Sequence, residues 1–377
     1  MLIDTTLREG VQLYGVNFTP EVRTGIVDGL LRLGVEEIEL GWIGMDGLER
    51  ASRKAHARKV KTVFSVWSPC REQCVQEAAE LGFKRINIGV PVSDAHVTKR
   101  LGIRHEELLE RITKAVMLGR MLGMEVSVGL EDVSRANWEF AVRVAGHAES
   151  AGCFRVRLPD TVGILTPFEI SGLVRFFKAH LDISLAIHCH DDFGMATANT
   201  ICALLSGADY ADVSILGIGE RSGIAPLEEV AAYLTLKEKN HDYHLESLPE
   251  LCSLVGKESR VAIPRTKAIA GADIFACETG LHLHGMACDP ALFEPYPPER
   301  IGALRKVGYG KKVGHAAVAD ALGNGETAVD KEGVTGLLRS IRQLASRFGR
   351  PLEKHEVQAL DLHHTRGRGP SKPEGPV

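Results

Sequence analysis

The chain has 377 residues, of which 44% are hydrophobic and 25% are charged, as is usual for folded globular proteins. Its net charge of -4 at pH 7 gives no sign of the basic surface that nucleic-acid-binding proteins carry. No segment reaches the roughly 20 apolar residues of a membrane-spanning helix, and the opening MLIDTTLREG does not resemble a signal peptide. Eight cysteines occur without a CxxC pair. We therefore expect a cytoplasmic protein with reduced thiols and with neither a nucleic-acid nor a membrane partner.

Eight short β-rich segments follow one another along the first part of the chain. They are residues 2–6, 36–41, 61–67, 85–92, 125–131, 154–160, 184–190 and 210–218. Amphipathic helical patterns, such as residues 20–34 and 106–123, separate them. Because parallel strands need crossover connections, this alternation predicts a (β/α)8 TIM barrel of the α/β class. A doubly wound open sheet is the alternative, but no GxGxxG follows the first strand.

The alternation of strands and helices stops after about residue 265. Residues 331–349 have the pattern of an amphipathic helix, whereas the end of the chain is polar and rich in Gly and Pro. The sequence therefore predicts a barrel over residues 1–265, a small, mainly helical C-terminal extension over residues 266–362 and a disordered tail over residues 363–377.

Polar clusters follow five of the predicted strands. They are Arg8-Glu9, Glu131-Asp132, Asp160-Thr161, His188 to Asp192, and Glu220-Arg221. Functional residues of TIM barrels lie where the strands end and the following loops begin. Five polar strand ends at the same rim of a barrel therefore predict a functional site there.

His188 and His190 are separated by one residue on the predicted seventh strand. Side chains at i and i+2 of a strand point to the same face, so both imidazoles can face the barrel interior. A chance pair on a half-buried strand is the simpler explanation, but the rim position and acidic neighbours favour a metal site. Glu9, at the end of the first strand, is the third candidate ligand. Two histidines and a carboxylate suit a catalytic divalent ion.

Three further polar residues of this rim are candidates for catalysis or binding. Arg8 suits the stabilisation of an enolate or alkoxide, because its guanidinium is always charged; an ion pair with Glu220 or Asp192 is the alternative. Thr161 can donate a hydrogen bond to a substrate carboxylate, although Asp-Thr pairs more often form turns. Glu131, at the end of a strand, is a candidate acid or base.

Five motifs, taken together, resemble those of the DRE-TIM metallolyases, the family of isopropylmalate, citramalate and homocitrate synthases and related lyases. They are DTTLREG (4–10), GLEDVSR (129–135), DTVG (160–163), HCHDDFGMATAN (188–199) and GIGERSGIAPLEE (217–229). The resemblance continues more weakly to FACETGLHLHG (275–285). PVSDAHVTKRLG, GLEDVSRANWEF and the short C-terminal region are most similar to the homocitrate synthases of nitrogen-fixing bacteria.

The resemblance implies an acyltransferase that condenses acetyl-CoA with a 2-oxo acid, above all 2-oxoglutarate, to give homocitrate. In the implied Claisen condensation, a base removes a methyl proton from acetyl-CoA and the enolate attacks the keto carbon. A divalent metal ion (Zn, Mn, Co or Mg) chelates the 2-oxo acid and makes that carbon electrophilic. Hydrolysis of the thioester then drives the reaction forward.

Residue roles follow from the positions that match the family's motifs. Metal ligands are implied at Glu9, His188 and His190, and substrate contacts at Arg8, Gln12, His96 and Thr161. Catalytic roles are implied for Arg8, which polarises the carbonyl, and for Glu131 as an acid or base. His282 resembles the histidine that the C-terminal region of a second subunit supplies, so the resemblance also implies a domain-exchanged homodimer.

Departures from the common motifs occur at four places. The motif LRDGEQ is LREGVQ here, with Glu9 and Val11; HxHND is HCHDD, with Asp191; and ERxGN is ERSGI, with Ile224. Homocitrate synthases of lysine biosynthesis share the Glu and also lack the Asn, which favours homocitrate synthase. WSPCRE (67–72) replaces a more basic stretch, which leaves the group for the distal substrate carboxylate open among Arg71, His96 and Arg100.

Several alternative functions remain. A citrate synthase of Re type, which uses oxaloacetate, has the same architecture. Isopropylmalate and citramalate synthases usually carry a long regulatory domain after the barrel, for which the chain has no room. A lyase like HMG-CoA lyase is disfavoured because no glycine-rich cysteine loop surrounds Cys277. The non-enzyme alternative is a metal-binding barrel scaffold, against which the retention of Arg8, Glu9 and both histidines argues.

Overall fold

The computed structural model describes residues 1–323 and 331–367. The chain divides into two compact units, residues 1–263 and 264–377. The boundary expected at residue 265 thus lies just inside the second unit. Each unit has its own secondary structure and core.

Eight parallel strands form a closed barrel in the first unit, in the order in which they occur along the chain. They are β1 (Leu2–Asp4), β2 (Glu37–Trp42), β3 (Val63–Pro69), β4 (Arg85–Pro91), β5 (Glu125–Glu131), β6 (Arg155–Asp160), β7 (Ser184–Cys189) and β8 (Tyr210–Val213). Closure comes from the pairing of β1 with β8, in which Ile3 is opposite Asp212. The predicted (β/α)8 TIM barrel is confirmed.

Nine α-helices of the first unit connect or follow these strands. They are α1 (Pro20–Leu33), α2 (Leu48–His56), α3 (Glu72–Glu80), α4 (His105–Met121), α5 (Trp138–Ser150), α6 (Pro167–Lys178), α7 (Ala196–Leu205), α8 (Leu227–Ala232) and α9 (Leu248–Ser259). Local sequence sets their ends. In α1, the Thr19 side chain accepts a hydrogen bond from Val22 N, and Gly34 ends the helix at φ 92°.

The last barrel strand is shorter than predicted. The sequence predicts a strand to residue 218, but β8 ends at Val213 and a short 3-10 turn follows over Ile215–Gly217. Leu216 has φ 59°, which a β-strand does not accommodate. The chain thus turns early, and Ser214 Oγ secures the turn by donating to Ile218 O at 2.7 Å.

Buried ion pairs fill the barrel near the amino-terminal ends of its strands. Arg155, which is fully buried, donates to Glu37 Oε2 at 2.8 Å and to Asn87 Oδ1 at 2.9 Å. Burial opposes ionisation of Glu37, but Arg155 and Arg85 outweigh it and hold the pKa of the carboxyl well below its usual range. Buried charges are tolerated when they are paired in this way.

The second unit is mainly helical, as the sequence predicts. Its elements are strands β9 (Ala276–Cys277) and β10 (Lys306–Val307) and helices α10 (Gly280–Cys288), α11 (His315–Ala321), α12 (Lys331–Phe348) and α13 (Lys354–Gly367). Buried apolar side chains form its core, among them Leu283, Val318, Leu337, Ile341 and Val357.

The last described helix, α13, ends at Gly367. Residues 363–367 of the segment expected to be disordered are therefore helical, and residues 368–377 lie outside the described residues. None of the helices in the described part of the chain is long and apolar enough to cross a membrane.

Candidate active site

A cavity of about 400 Å³ lies at the carboxyl ends of the barrel strands. Its polar and aromatic lining side chains are Arg8, Glu9, Gln12, Trp42, Trp67, Asn87, His96, Arg100, Glu131, Arg157, Thr161, His188, His190 and Glu220. This set includes every barrel residue to which the motifs imply a role, and it includes His96 and Arg100 but not Arg71 among the candidates for the distal substrate carboxylate. The cavity is therefore the candidate active site.

Glu9, His188 and His190 form a buried cluster at the floor of this cavity. One ligand atom of each residue lies within 4.8 Å of the others, and the Nε2 atoms of the two histidines are 3.3 Å apart. Two nitrogens and a carboxylate oxygen are donors that suit a divalent metal ion, and three protein ligands leave positions open for substrate. The side chains present therefore fit the metal that the motifs imply.

His188 is held by a carboxylate on the neighbouring strand. Its Nδ1 lies 2.8 Å from Asp212 Oδ2, and both residues are buried. Donation of the Nδ1 proton to Asp212 leaves the lone pair of Nε2 directed at the cluster. Metal-binding histidines commonly have such an outer carboxylate, which fixes the tautomer and the ring orientation. His190 Nδ1 is also buried, and it has no hydrogen-bond partner among the described residues.

The charge states of the cluster suit metal binding. Burial opposes ionisation of Glu9, but Arg8 and the two histidines outweigh it, so the pKa falls to about 2. Burial and the neighbouring His188 lower the pKa of His190 to about 3. At neutral pH the carboxylate is therefore charged and His190 is neutral, as metal ligands must be.

Neighbouring backbone fixes the position of Glu9. Its Oε1 accepts a hydrogen bond from Glu220 N at 3.1 Å, and its Oε2 is paired with Arg8. A Cβ atom at position 219 would approach Glu9 Cγ to 3.1 Å, so Gly219 leaves the space that the carboxylate side chain occupies. This glycine therefore has a steric role in the site.

A chain of buried ion pairs connects Arg8 to His188. Arg8 Nε donates to Glu39 Oε2 at 2.6 Å, and Arg157 lies 3.4 Å from Glu39 Oε1. The same Arg157 is paired through Nε with Asp212 at 3.0 Å. Arg8 is thus paired with Glu9 and with Glu39 of this network, and not with Glu220 or Asp192.

Thr161 and Glu131 lie on the opposite side of the barrel from Glu9. Thr161 Oγ1 accepts from Asp132 N at 2.8 Å, which leaves its hydroxyl proton available to donate to another group. Glu131 is half-buried and its Oε2 accepts from Arg100 Nη2 at 2.6 Å. A Cβ atom at Gly89 would lie 2.6 Å from Glu131 Oε1, so this carboxylate also depends on a glycine for space.

Two of the three candidates for binding the distal substrate carboxylate line the cavity, and the third does not. His96 and Arg100 lie on a wide helical turn, Ala95–Leu101, and both line the cavity. Arg71 is exposed next to the start of α3 and is absent from the lining. Gln12 lines the cavity from the loop after β1 and is exposed.

The altered motif residues have different surroundings. Asp191 Oδ1 accepts at 2.7 Å from the backbone N–H of Ala196, the first residue of α7. Ile224 is buried beside the cluster, where it forms a β-bridge with His190. Nothing in the structure explains Val11.

His282 belongs to the second unit, on α10. It is exposed, and its ring centroid lies 4.5 Å from that of Phe293. Its contribution to an active site remains an expectation of the family resemblance.

Sequence reasoning missed the residues that support the cluster from inside the barrel. They are Glu39, Asn87, Arg157 and Asp212. They occupy strand interiors, not strand ends. The sequence does contain a pattern that indicates such residues: Glu37 alternates with Glu39, and Arg155 alternates with Arg157. Charged residues at i and i+2 of a barrel strand share one face, so each pair can point into the barrel.

Comparisons with known proteins agree with this architecture. Residues 1–255 match the HMGL-like family, and residues 269–348 match the homocitrate synthase post-HMGL domain-like family. The homocitrate synthase of Frankia alni is 37% identical, over 85% of this chain and 92% of that protein. The 2-isopropylmalate synthase 2 of Caldanaerobacter subterraneus subsp. tengcongensis is 33% identical, over 95% and 94%.

The coverage of the second relative corrects one expectation. Because this chain spans 94% of a protein named 2-isopropylmalate synthase, a short C-terminal region does not argue against that class of enzyme.

Among solved structures, the hydroxymethylglutaryl-CoA lyase of Pseudomonas aeruginosa has the same barrel fold, with a TM-score of 0.63 and 22% identity over 69% of this chain and 93% of that one. The chain therefore belongs to the HMGL-like family, the DRE-TIM enzymes, together with homocitrate and isopropylmalate synthases.

Proposed function

We propose that this protein is an acyltransferase that condenses acetyl-CoA with 2-oxoglutarate to form homocitrate. The observation that supports this best is the buried cluster of Glu9, His188 and His190 beside Arg8 in a strand-end cavity. Relatives named homocitrate synthase match over most of the chain, and the second unit matches the domain found after the barrel in that enzyme.

Glu9, His188 and His190 would hold a divalent metal ion, which would supply Lewis acidity at the keto group of a 2-oxo acid. Zn, Mn, Co and Mg all suit this ligand set. The guanidinium of Arg8 stabilises the negative charge that develops on the keto oxygen during attack. The buried network with Glu39 holds that guanidinium in place, so little reorganisation is needed at the transition state.

Two residues across the cavity act on the substrates. Thr161 donates its free hydroxyl proton to the carboxylate next to the keto group of the 2-oxo acid. Glu131 accepts the methyl proton of acetyl-CoA, which produces the enolate. The ion pair with Arg100 orients the Glu131 carboxylate toward the cavity.

Arg100 and His96 hold the distal carboxylate of 2-oxoglutarate. Both line the cavity, and both lie on the turn after β4, whereas the proposed metal ligands lie in the loop after β1 and at the end of β7. A guanidinium can bind a carboxylate in a bidentate manner, which favours a dicarboxylic 2-oxo acid over an apolar one.

A second subunit completes the site in this proposal. His282 of the partner acts as a further catalytic group, and the protein is a domain-exchanged homodimer. The support is the ETGLH motif on α10, within the region that matches the homocitrate synthase domain.

A second candidate substrate follows from the comparisons. The 33% identity to a 2-isopropylmalate synthase over nearly the full length of both chains supports 2-oxoisovalerate as an alternative acceptor. Oxaloacetate and pyruvate remain as the acceptors of citrate and citramalate formation.

Release of free CoA thiol distinguishes these substrates. The purified protein is assayed with acetyl-CoA and a divalent metal against 2-oxoglutarate, oxaloacetate, pyruvate and 2-oxoisovalerate. We expect the highest kcat/KM with 2-oxoglutarate, complete loss in His188→Ala and no loss in His180→Ala, an exposed histidine in the turn between α6 and β7. Preference for another acceptor would reassign the substrate, and lack of turnover with all four in metal-loaded protein would refute the proposed reaction.

A further inference from the structure

A second cavity of about 450 Å³ lies outside the barrel, between helices α1 and α2. Leu7, Phe18, Val27, Leu40 and Ala55 give it an apolar wall, and all five are buried. We call this cavity the α1–α2 groove. Its volume is in the range of sites that bind small organic ligands.

Cations dominate the charged groups of this groove. Arg23, Arg50, Lys54 and Arg58 line it, whereas Asp46 is the one acidic residue among its lining residues. Positions 50, 54 and 58 are spaced by four residues, so their side chains follow one face of α2 and its end. Like charges at this spacing repel each other, and an anion between them would remove that cost.

Two of these cations have no acidic partner within the part of the chain that the structure describes. Arg58 is paired with Asp28, and Arg50 lies 3.9 Å from Glu21. Neither Arg23 nor Lys54 has a carboxylate within 4.0 Å among the described residues.

Arg23 is the more informative of the two because it is half-buried. It donates to Phe18 O at 3.1 Å and contacts Met45 Sδ at 3.5 Å. Burial without a counter-charge lowers its pKa. A guanidinium in such surroundings gains most from an anionic ligand with several oxygen acceptors, such as a phosphate.

The groove lies next to the candidate active site. Leu7 lines the groove, and the residues that follow it, Arg8 and Glu9, line the catalytic cavity. On β2, Leu40 lines the groove and Trp42 lines the cavity. Neighbouring residues of the same loop and of the same strand therefore line the two cavities.

We infer that the α1–α2 groove binds the phosphate groups of a nucleotide, with the apolar wall against its base or sugar. The nucleotide is the phosphorylated adenosine end of the acyl-CoA, whose thioester lies in the catalytic cavity. The assignment to CoA rests on the proposed function, whereas a free nucleotide has the same chemistry and is distinguished by the experiment.

Adenosine 3′,5′-bisphosphate, which is the nucleotide end of CoA without the thiol arm, is the probe. Its binding to the full-length, metal-loaded protein is measured by calorimetry in Lys54→Gln, Arg23→Gln and the control Lys59→Gln. Lys59 is exposed and outside the groove, so Lys59→Gln removes one positive charge, as the groove variants do, without changing the groove. We expect each groove variant to bind about tenfold more weakly, as loss of one charge-assisted contact predicts, and the control to bind like wild type.

Steady-state kinetics then distinguish the nucleotide end of CoA from a free nucleotide as the ligand of the groove. For the CoA end, the probe competes with acetyl-CoA, and the groove variants raise the KM for acetyl-CoA about tenfold with kcat and the KM for the 2-oxo acid unchanged. Probe binding that depends on the groove but does not compete with acetyl-CoA assigns the site to a free nucleotide. No binding of the probe, or equal binding by all variants, overturns the inference.

Because calorimetry measures binding and not turnover, its result does not depend on whether the proposed reaction is correct. Absence of turnover with every 2-oxo acid would refute the reaction but leave the binding result valid. Lys54 is exposed, so its replacement leaves the fold intact and the test remains informative if Arg23→Gln is unstable.

Discussion

Asp212 is a buried carboxylate that connects a proposed metal ligand to the ion pairs of the barrel interior. It contacts both His188 Nδ1, at 2.8 Å, and Arg157 Nε, at 3.0 Å. Burial opposes its ionisation, but Arg157 and His188 outweigh this and lower the pKa of the carboxyl. If His188 binds a metal ion, as proposed, a charged Asp212 makes its imidazole a better ligand by accepting the other ring proton.

Replacement of this carboxylate should therefore weaken metal binding. We expect Asp212→Asn to reduce metal affinity by about 10- to 100-fold, the usual effect of losing such a partner. Titration of the metal-free protein with Zn or Mn measures the affinity. Asp182→Asn, an exposed site in the loop before β7, serves as the control. Equal affinity in both variants would show that Asp212 does not support His188.

Asp4 provides a prediction for the pH dependence of stability. Burial raises its pKa from 3.8 to about 7, although hydrogen bonds from Thr6 partly offset that effect. The folded protein thus holds this proton to higher pH than the unfolded chain. The stabilisation is complete below the unfolded pKa and is lost as the pH rises through about 7.

Relative to Asp4→Asn, the wild type should lose on the order of 4 kcal/mol of unfolding free energy between pH 4 and pH 7. Denaturant unfolding of both proteins at several pH values measures this difference. A difference that stays constant across this range would mean that Asp4 is ionised in the folded protein throughout.

At the scale of elements, the barrel depends on charged residues inside its strands as well as on its apolar faces. Glu37 on β2 and Arg155 on β6 are fully buried, and their residue numbers differ by 118. Such a pair stabilises little by itself compared with apolar packing, yet loss of one partner leaves an unpaired buried charge.

Glu37→Gln should accordingly destabilise the fold by about 3–5 kcal/mol. Glu125→Gln also removes a carboxylate that is bonded to an arginine, Arg85 at 2.7 Å, but the Glu125 side chain is 58% exposed. We expect the second change to cost less than about 1 kcal/mol. Urea unfolding at pH 7 measures both, and similar losses would contradict the importance given to burial.

Elements with a clear local pattern could be predicted from the sequence. The apolar run of β5 predicts a strand over residues 125–131, as observed, and five polar strand ends locate the cavity rim. The end of β8 could not be predicted, because the turn there depends on the positive φ of Leu216 and on Ser214. Arg157 was missed because its acidic partners lie on other strands, where only the closed barrel brings them close.

At the scale of the whole molecule, the proposed catalytic role of His282 raises the question whether one chain is sufficient for activity. His282 lies on α10 of that unit, whereas the metal cluster lies in the barrel unit. If a partner supplies His282, each active site combines a barrel from one chain with a histidine from the other. Inactive variants with defects in different units should then complement each other.

Mixing His188→Ala with His282→Ala, after dissociation and reassociation, should restore about a quarter of wild-type activity. Half of the dimers are mixed by random association, and half of their sites receive an intact barrel together with an intact His282. His188→Ala mixed with Glu9→Ala should stay inactive, because both changes affect the barrel and every site keeps one defect. Thiol release measures the activity, and native mass spectrometry measures the fraction of mixed dimers. Mixed dimers without recovery would show that each subunit uses its own His282, or that this histidine has no part in the reaction.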